Sequence, residues 1–200
     1  MEEIDCKASL RAACLRARRA QPPDVRATRS GQIVRRLLSL PEWRAASVVC
    51  CYLSVDTEVQ TAAIIAAAHA EQIHVAVPIV APPGIAEIRA DTTLCLGPHG
   101  MWQPEAIIPV PVEAVDLWIV PGVAFGRDGS RLGRGGGYYD RLLARARGTV
   151  IGLAFDLQVI DRLPVDPWDR GVDRIVTESG VIVCPSGISL SSRGRGQGEG

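Results

Sequence analysis

Residues 117–140 read LWIVPGVAFGRDGSRLGRGGGYYD, and the order of residue types in this stretch decides the class of fold. Leu117–Val120 is apolar on both faces of an extended chain, which suits a strand covered on both sides. The loop that follows, 121–137, is rich in glycine, and from Tyr138 to about Arg147 the pattern predicts a helix. Strand, glycine loop, helix is an order that cradles phosphate groups. Glycines allow close backbone approach and positive φ, while a helix start offers unpaired N–H groups and the positive end of its dipole. Arg131, Arg134 and Arg141 flank the loop and can neutralise an anion. On composition alone, Gly133, Gly135, Gly136 and Gly137 serve equally well as a flexible turn. No Gly-Lys-Ser/Thr follows, so the loop is not a Walker A loop, and it lacks the spacing of a dinucleotide fingerprint.

Working outward, Ser47–Leu53 (SVVCCYL) reads as a second doubly covered strand, 58–71 as a helix, and His74–Val77 as a strand stopped by Pro78. A right-handed β-α-β crossover then puts residues 54–58 at the carboxyl edge of a parallel sheet, where ligands bind in open α/β folds. Upstream, Ile4–Ala20 has helical spacing closed by Pro22-Pro23, and Asp24 is placed to cap a second helix ending before Pro41. Residues 81–115 are proline- and glycine-rich and read as irregular apart from short candidates such as Ile85–Arg89. Thr149–Phe155, Val172–Thr177 and Gly180–Val183 supply further strands. The expected fold is a three-layer α/β domain over residues 1–184: an open, Rossmann-like, mostly parallel central sheet with helices on both faces. Residues 185–200, rich in Ser, Gly and Arg, are expected to be a disordered tail.

Twenty-two basic residues balance twenty-two acidic ones, so no global charge draws the chain to nucleic acid or to an anionic membrane. A small-molecule partner is the default, and a monomer is expected. The six cysteines show no Cys-x-x-Cys pair and no zinc-like spacing, which suits reduced thiols in the cytosol. Glu2, Glu3 and Asp5 stand where a secretory signal needs basic residues, and no apolar run reaches membrane length. Among the basic residues Lys7 is the only lysine. A compact ammonium is not equivalent to a guanidinium at a phosphate, so Lys7 stands out in a chain otherwise biased to arginine.

VPGVAFGRDGSRLGRGGGYYDRLL (120–143), IGLAFDLQ (151–158) and WDRGVDRIVTESGVI (168–182) together resemble the signature of the 5-formyltetrahydrofolate cyclo-ligase (methenyltetrahydrofolate synthetase) family. KASLR (7–11) is similar to that family's N-terminal Lys-x-x-Leu-Arg, and YLSVDTEVQT (52–61) to its Ser-x-x-x-Glu-Val-x-Thr segment. The likeness runs in the family's order from about residue 7 to 184. One departure is Gly126, where the family commonly has Asp; Asp128 is the candidate to compensate.

The resemblance implies ATP- and magnesium-dependent cyclisation of 5-formyltetrahydrofolate to 5,10-methenyltetrahydrofolate. It assigns ATP contacts to Lys7, Arg11, Arg131, Gly133, Arg134, Gly135, Gly136, Gly137, Tyr138 and Tyr139, with Lys7, Arg131 and Tyr138 in catalytic roles. Folate contacts fall on Leu53, Glu58, Arg134, Gly135, Gly136, Gly137 and Tyr138, and magnesium ligands on Asp140 and Asp173. From the residues alone, Glu58 can accept hydrogen bonds from ring N–H groups and the tyrosines can lie against a ring, but a helix-start glutamate and two packed tyrosines account for them equally. Two other functions share the architecture: a noncatalytic nucleotide or folate binder, which would have lost a phosphate or metal ligand, and a sugar-phosphate isomerase, which needs no ATP.

Overall fold

The computed structural model describes residues 2–185, with side chains except those of residues 2–6 and 99. The expected tail therefore lies outside the described residues apart from Pro185. Helices are α1 (Glu2–Ala20), α2 (Pro23–Ser39), α3 (Pro41–Ala45), α4 (Ala62–Ala70) and α5 (Tyr138–Leu143). The strands are β1 (Val48–Cys51), β2 (His74–Ile79), β3 (Gly84–Ile88), β4 (Leu94–Leu96), β5 (Trp102–Pro104), β6 (Leu117–Val120), β7 (Ala124–Gly126), β8 (Arg131–Leu132), β9 (Thr149–Leu153), β10 (Val159–Ile160), β11 (Arg174–Val176) and β12 (Val181–Val183).

A seven-stranded sheet runs in the order β12-β11-β9-β6-β1-β2-β3. Its five inner strands are parallel, while β12 and β3 close the two edges antiparallel. The strands are apolar on both faces because each face meets a core. Val49, Cys51, Leu117 and Ile119 point into one cluster with Ile33 and Leu37 of α2, Trp43 of α3 and Ile64 of α4. Alternate residues Cys50, Trp118 and Val120 point into the other cluster, with Leu142 and Leu143 of α5. This is the three-layer, mostly parallel α/β arrangement that the sequence predicts. Each large side chain buried this way stabilises the fold by about 1.5–3 kcal/mol.

From β1 the chain continues to β2 on one side, whereas β6 leads to β9 on the other, so the strand order reverses between β1 and β6. The loops after these two strands, starting at Tyr52 and Pro121, flank a crevice at the carboxyl edge, the usual ligand position in such sheets. A second, three-stranded sheet, β10-β7-β8, lies beside the main one. Its residues Ala124 and Leu132, with Val123 just before β7, form a small core with Cys14 of α1 and Leu163. Helix α1 is thereby laid along the glycine-loop segment, not on the main sheet.

Several boundaries differ from expectation. Helix α5 has six residues and ends at Leu143, because the chain must turn at 144–148 to enter β9. Asp24 is not a cap: α2 starts at Pro23, with Pro22 before it and no side-chain cap bond, so Asp24 sits in the first turn and acts on the helix dipole. Helix α4 starts at Ala62, and Glu58 lies in the preceding turn. Pro78 does not stop β2, which runs to Ile79 because β1 borders only His74–Ala76 and β3 carries the pairing onward. Within residues 81–115, expected to be irregular apart from short strands, β3 falls on the Ile85–Arg89 candidate, and the β4–β5 hairpin is additional.

Candidate active site

Three segments converge on one surface: the basic face of α1, the glycine loop after β8 and the loop 164–173. Residues 7, 11, 14 and 18 recur at helical spacing and so share one side of α1. Lys7, only 9% exposed, sends its ammonium to Asp166 and Asp169, at 2.7 Å from one carboxylate oxygen of each. Burial lowers its pKa, but the hydrogen bonds and charges of the two aspartates outweigh this and hold it above the ordinary 10.5. One turn further along, Arg11 donates from Nε to the carbonyl of Gly133 at 2.9 Å. Arg18, 1% exposed, donates from Nε to Thr57 Oγ1 at 2.9 Å and from Nη1 to the Gly122 carbonyl at 3.4 Å.

The glycine loop closes by backbone conformations that favour glycine: φ is +104° at Gly135 and +62° at Gly137. Below it, Arg131 is almost wholly buried, donates from Nη2 to Asp140 Oδ1 at 2.7 Å and lies 5.4 Å from the centre of the Tyr139 ring. Its Nε has no partner among the described residues. The backbone N–H of Arg170 donates to the same Asp140 oxygen at 3.0 Å, which brings the loop carrying Asp169 against α5. A cleft of about 250 Å³ opens here, lined by Ser130, Arg131, Asp169, Arg170 and Asp173 among others.

At the carboxyl edge, Arg134 reaches from the glycine loop to Glu58, 2.9 Å apart. The other Glu58 oxygen accepts the Val55 N–H at 3.1 Å, so the turn presents this carboxylate from a fixed position. Leu53 is half-buried against the main core. Tyr138 directs its hydroxyl at the carbonyls of Ile79 and Gly84, 2.8 and 2.9 Å away, with one proton to share between them. Burial is the main cause that raises the pKa of both Tyr138 and Tyr139. Both rings are packed edge to face at 5.5 Å, and Tyr139, partly buried, packs against the cores on both sides of the sheet. The hydroxyl of Tyr138 thus anchors the loop to the β2–β3 turn.

A family model described as the 5-formyltetrahydrofolate cyclo-ligase family matches residues 3–178. The chain belongs to that family. Among curated relatives, 5-formyltetrahydrofolate cyclo-ligase of Haemophilus influenzae is 31% identical over 147 residues, 68% of this chain and 79% of its own length. The Escherichia coli K12 protein of the same name is 29% identical over 174 residues, 82% of this chain and 96% of its own. The solved structure of Aquifex aeolicus 5,10-methenyltetrahydrofolate synthetase is similar with a TM-score of 0.83 and 34% identity, over 94% of this chain and 97% of that one. That from Mycoplasma pneumoniae has a TM-score of 0.70 and 25% identity, over 86% and 98%. The chain is accordingly an enzyme of the cyclo-ligase kind, acting in folate one-carbon metabolism.

With family membership in hand, two aspartates that the sequence did not single out become prominent. Asp166 and Asp169 hold Lys7 from a loop without periodicity, where no local sequence pattern marks them. Asp173 has a different setting. It is exposed, and its Oδ2 accepts the N–H of Val150, its in-register neighbour one position before β11 pairs with β9. Asp116 makes the same bond to Val48 one position before β6 pairs with β1. Both aspartates cap strand starts at the amino edge. Gly126 also finds its explanation: a Cβ there would meet Ser130 Oγ and Asp128 Oδ1 inside contact distance. Asp128 occupies that space and accepts from the Ser130 N–H and hydroxyl at 3.0 and 2.6 Å. No helix among the described residues is long and apolar enough to cross a membrane.

Proposed function

We propose that the enzyme cyclises 5-formyltetrahydrofolate to 5,10-methenyltetrahydrofolate at the expense of ATP, with ADP and phosphate released. The observation that carries this reading is the basic face of α1 lying on the glycine loop, with Arg11 bonded to the Gly133 carbonyl. A cation-lined glycine loop suits a polyphosphate better than a neutral ligand. In the first step the formyl oxygen attacks the γ-phosphorus and ADP leaves. The neighbouring secondary amine then attacks the activated formyl carbon, closes the five-membered ring and loses its proton to solvent, and cleavage of the formyl carbon–oxygen bond releases phosphate and completes the methenyl bridge.

No covalent protein nucleophile enters this scheme, so the residues act by position and charge. Lys7, Arg11 and Arg131, with the backbone from Gly133 to Tyr139, hold the phosphates; Lys7 leaves its aspartates to do so. Glu58 and Leu53, with Arg134 to Tyr138 of the loop, hold the folate. Tyr138 positions the loop through its bond to the β2–β3 turn.

Magnesium, if held here, would supply charge neutralisation for the polyphosphate. The donor set fits it, since magnesium takes one or two carboxylates and completes its shell with phosphate and water oxygens. Asp140 is one ligand. Asp173 is the expected second, but Asp169 is favoured, because it lies with Lys7 and its neighbour Arg170 bonds Asp140, whereas Asp173 stands at the amino edge before β11; to serve, Asp169 Oδ2 gives up the Lys7 ammonium and the Asp166 N–H that it accepts here. The free, unpaired state of Cys14, Cys50, Cys51, Cys95 and Cys184 suits a reducing cytosol. The deciding experiment is an absorbance assay for methenyltetrahydrofolate from 5-formyltetrahydrofolate, with and without ATP and magnesium. Product formation without ATP, or none with both present, overturns the reading.

A further inference from the structure

Arg18 is the buried charged group that the scheme above leaves unused. It lies at the point where strand order reverses, and it touches the loops on both sides of the crevice: Thr57 after β1 and Gly122 after β6. Gly122 is held from below as well, since Gln158 donates from Nε2 to the same carbonyl at 2.9 Å. Arg18 makes no salt bridge within 4 Å among the described residues; its nearest carboxylates act at longer range, from Glu58 and Asp56. Burial is the main cause that lowers its pKa, so the protein holds a guanidinium where desolvation opposes it. One nitrogen, Nη2, is buried with no hydrogen-bond partner among the described residues. Leaving such a donor unsatisfied is costly, and sites that keep one usually do so for a ligand or a water.

We propose that Arg18 is a further folate-binding residue, whose Nη2 donates to the ring carbonyl oxygen of the pteridine while the adjacent Glu58 accepts the neighbouring ring N–H. The inference rests on the proposed folate substrate. Its chemistry is that of a lactam edge, an N–H beside a C=O, which calls for one acceptor and one donor side by side. Glu58 is the acceptor, and Thr57, bonded to Arg18, is its chain neighbour. Access requires the Arg134–Glu58 pair to part. That pair is weakly held, because the Arg134 side chain is 55% exposed and such surface pairs contribute little.

The test compares 5-formyltetrahydrofolate with its 4-amino analogue, in which the ring carbonyl is replaced by a donor. A site with a matched donor rejects such an analogue strongly, so the wild-type enzyme is expected to favour the 4-oxo ligand by about a hundredfold or more. Arg18→Met is expected to weaken binding of the 4-oxo ligand by about tenfold to a hundredfold while changing the analogue little, collapsing that preference. Arg18→Lys, which retains charge at this buried position but cannot present the planar fork, gives the same collapse if Arg18→Met fails to fold. The Michaelis constant for ATP should hold steady in either variant. Equal weakening of both ligands, or an intact preference, overturns the proposal and leaves Arg18 as a structural tie between loops. A wild-type enzyme that binds neither ligand, or a Glu58→Gln variant that binds both normally, instead defeats the folate assignment itself.

Discussion

The two ends of α1 handle positive charge in opposite ways. At one end Lys7 is enclosed by two carboxylates that more than repay its burial, and its pKa moves up. At the other end Arg18 is bonded to a hydroxyl and a carbonyl, with no carboxylate in contact among the described residues, and its pKa moves down. A charge balanced by side-chain carboxylates can be handed to an incoming polyanion, whose phosphate oxygens take the place of Asp166 and Asp169. A charge fixed between neutral oxygens has no such exchange to make and suits a neutral acceptor. One helix thus offers a transferable cation to phosphates and a fixed donor to a ring.

The aspartates at the Lys7 end carry the greatest expected loss of activity. Asp140→Asn combined with Asp169→Asn is expected to reduce magnesium-dependent turnover by about a thousandfold, since metal charge stabilisation is worth several kcal/mol. Asp173→Asn alone should leave turnover within about threefold of wild type and cost about 1 kcal/mol of stability through its strand-start bond. Turnover and thermal melting are measured together. The opposite ranking would return Asp173 to the metal site and make the Lys7 aspartates structural.

Lys7→Arg comes next, with turnover expected to fall about tenfold to a hundredfold because a planar fork cannot occupy the space of a compact ammonium between two carboxylates. Unlike a substitution on an open helix face, it should also lower the melting temperature without ligand, since Lys7 is buried. Wild-type ATP affinity in this variant would mean that the pair never opens to phosphate. At the other end, Glu58→Gln should weaken folate binding by about tenfold, the value of a hydrogen bond to a charged group, and ATP binding much less. Separate titrations of the two ligands decide it.

How much of this was legible depends on length scale. LWIV and SVVCCYL announced doubly covered strands because four or more apolar residues leave a readable signal. β7, β8 and β10, of two or three residues, carry no period, so the small sheet that supports α1 was invisible. The glycine loop was legible through its residue types, which its backbone conformation requires. Asp166 and Asp169 were not, because no local pattern links them to Lys7; their contact spans 159 and 162 residues. Arg18 was hidden for another reason. In a chain where nearly every basic residue is arginine, one more on a helix draws no notice, although the spacing 7, 11, 14, 18 already put it on the face with Lys7 and Arg11.

The smallest expected effect separates the ends of α1 by pH. A group whose pKa is raised on folding gives stability that is fully present below its unfolded pKa and is lost as pH rises through its folded pKa. Lys7 is such a group, with an ordinary value of 10.5 and a folded value above it. The stability difference between wild type and Lys7→Met should therefore be constant from neutral pH to about pH 10 and shrink above that. Asp166 is 38% exposed at its side chain, so solvent screening limits the pair, and the whole difference should be about 1 kcal/mol. Tyr52, Tyr138 and Tyr139 also have pKa values raised mainly by burial, and they too destabilise the fold in alkali. Both proteins carry all three, so their effect cancels in the difference. Denaturant unfolding of the two proteins at pH steps from 8 to about 11.5 measures it within the reach of a lysine titration. A gap that stays constant to the top of that range would mean that the loss at Lys7 is one of packing by its aliphatic stem, and that the aspartates do not hold its charge.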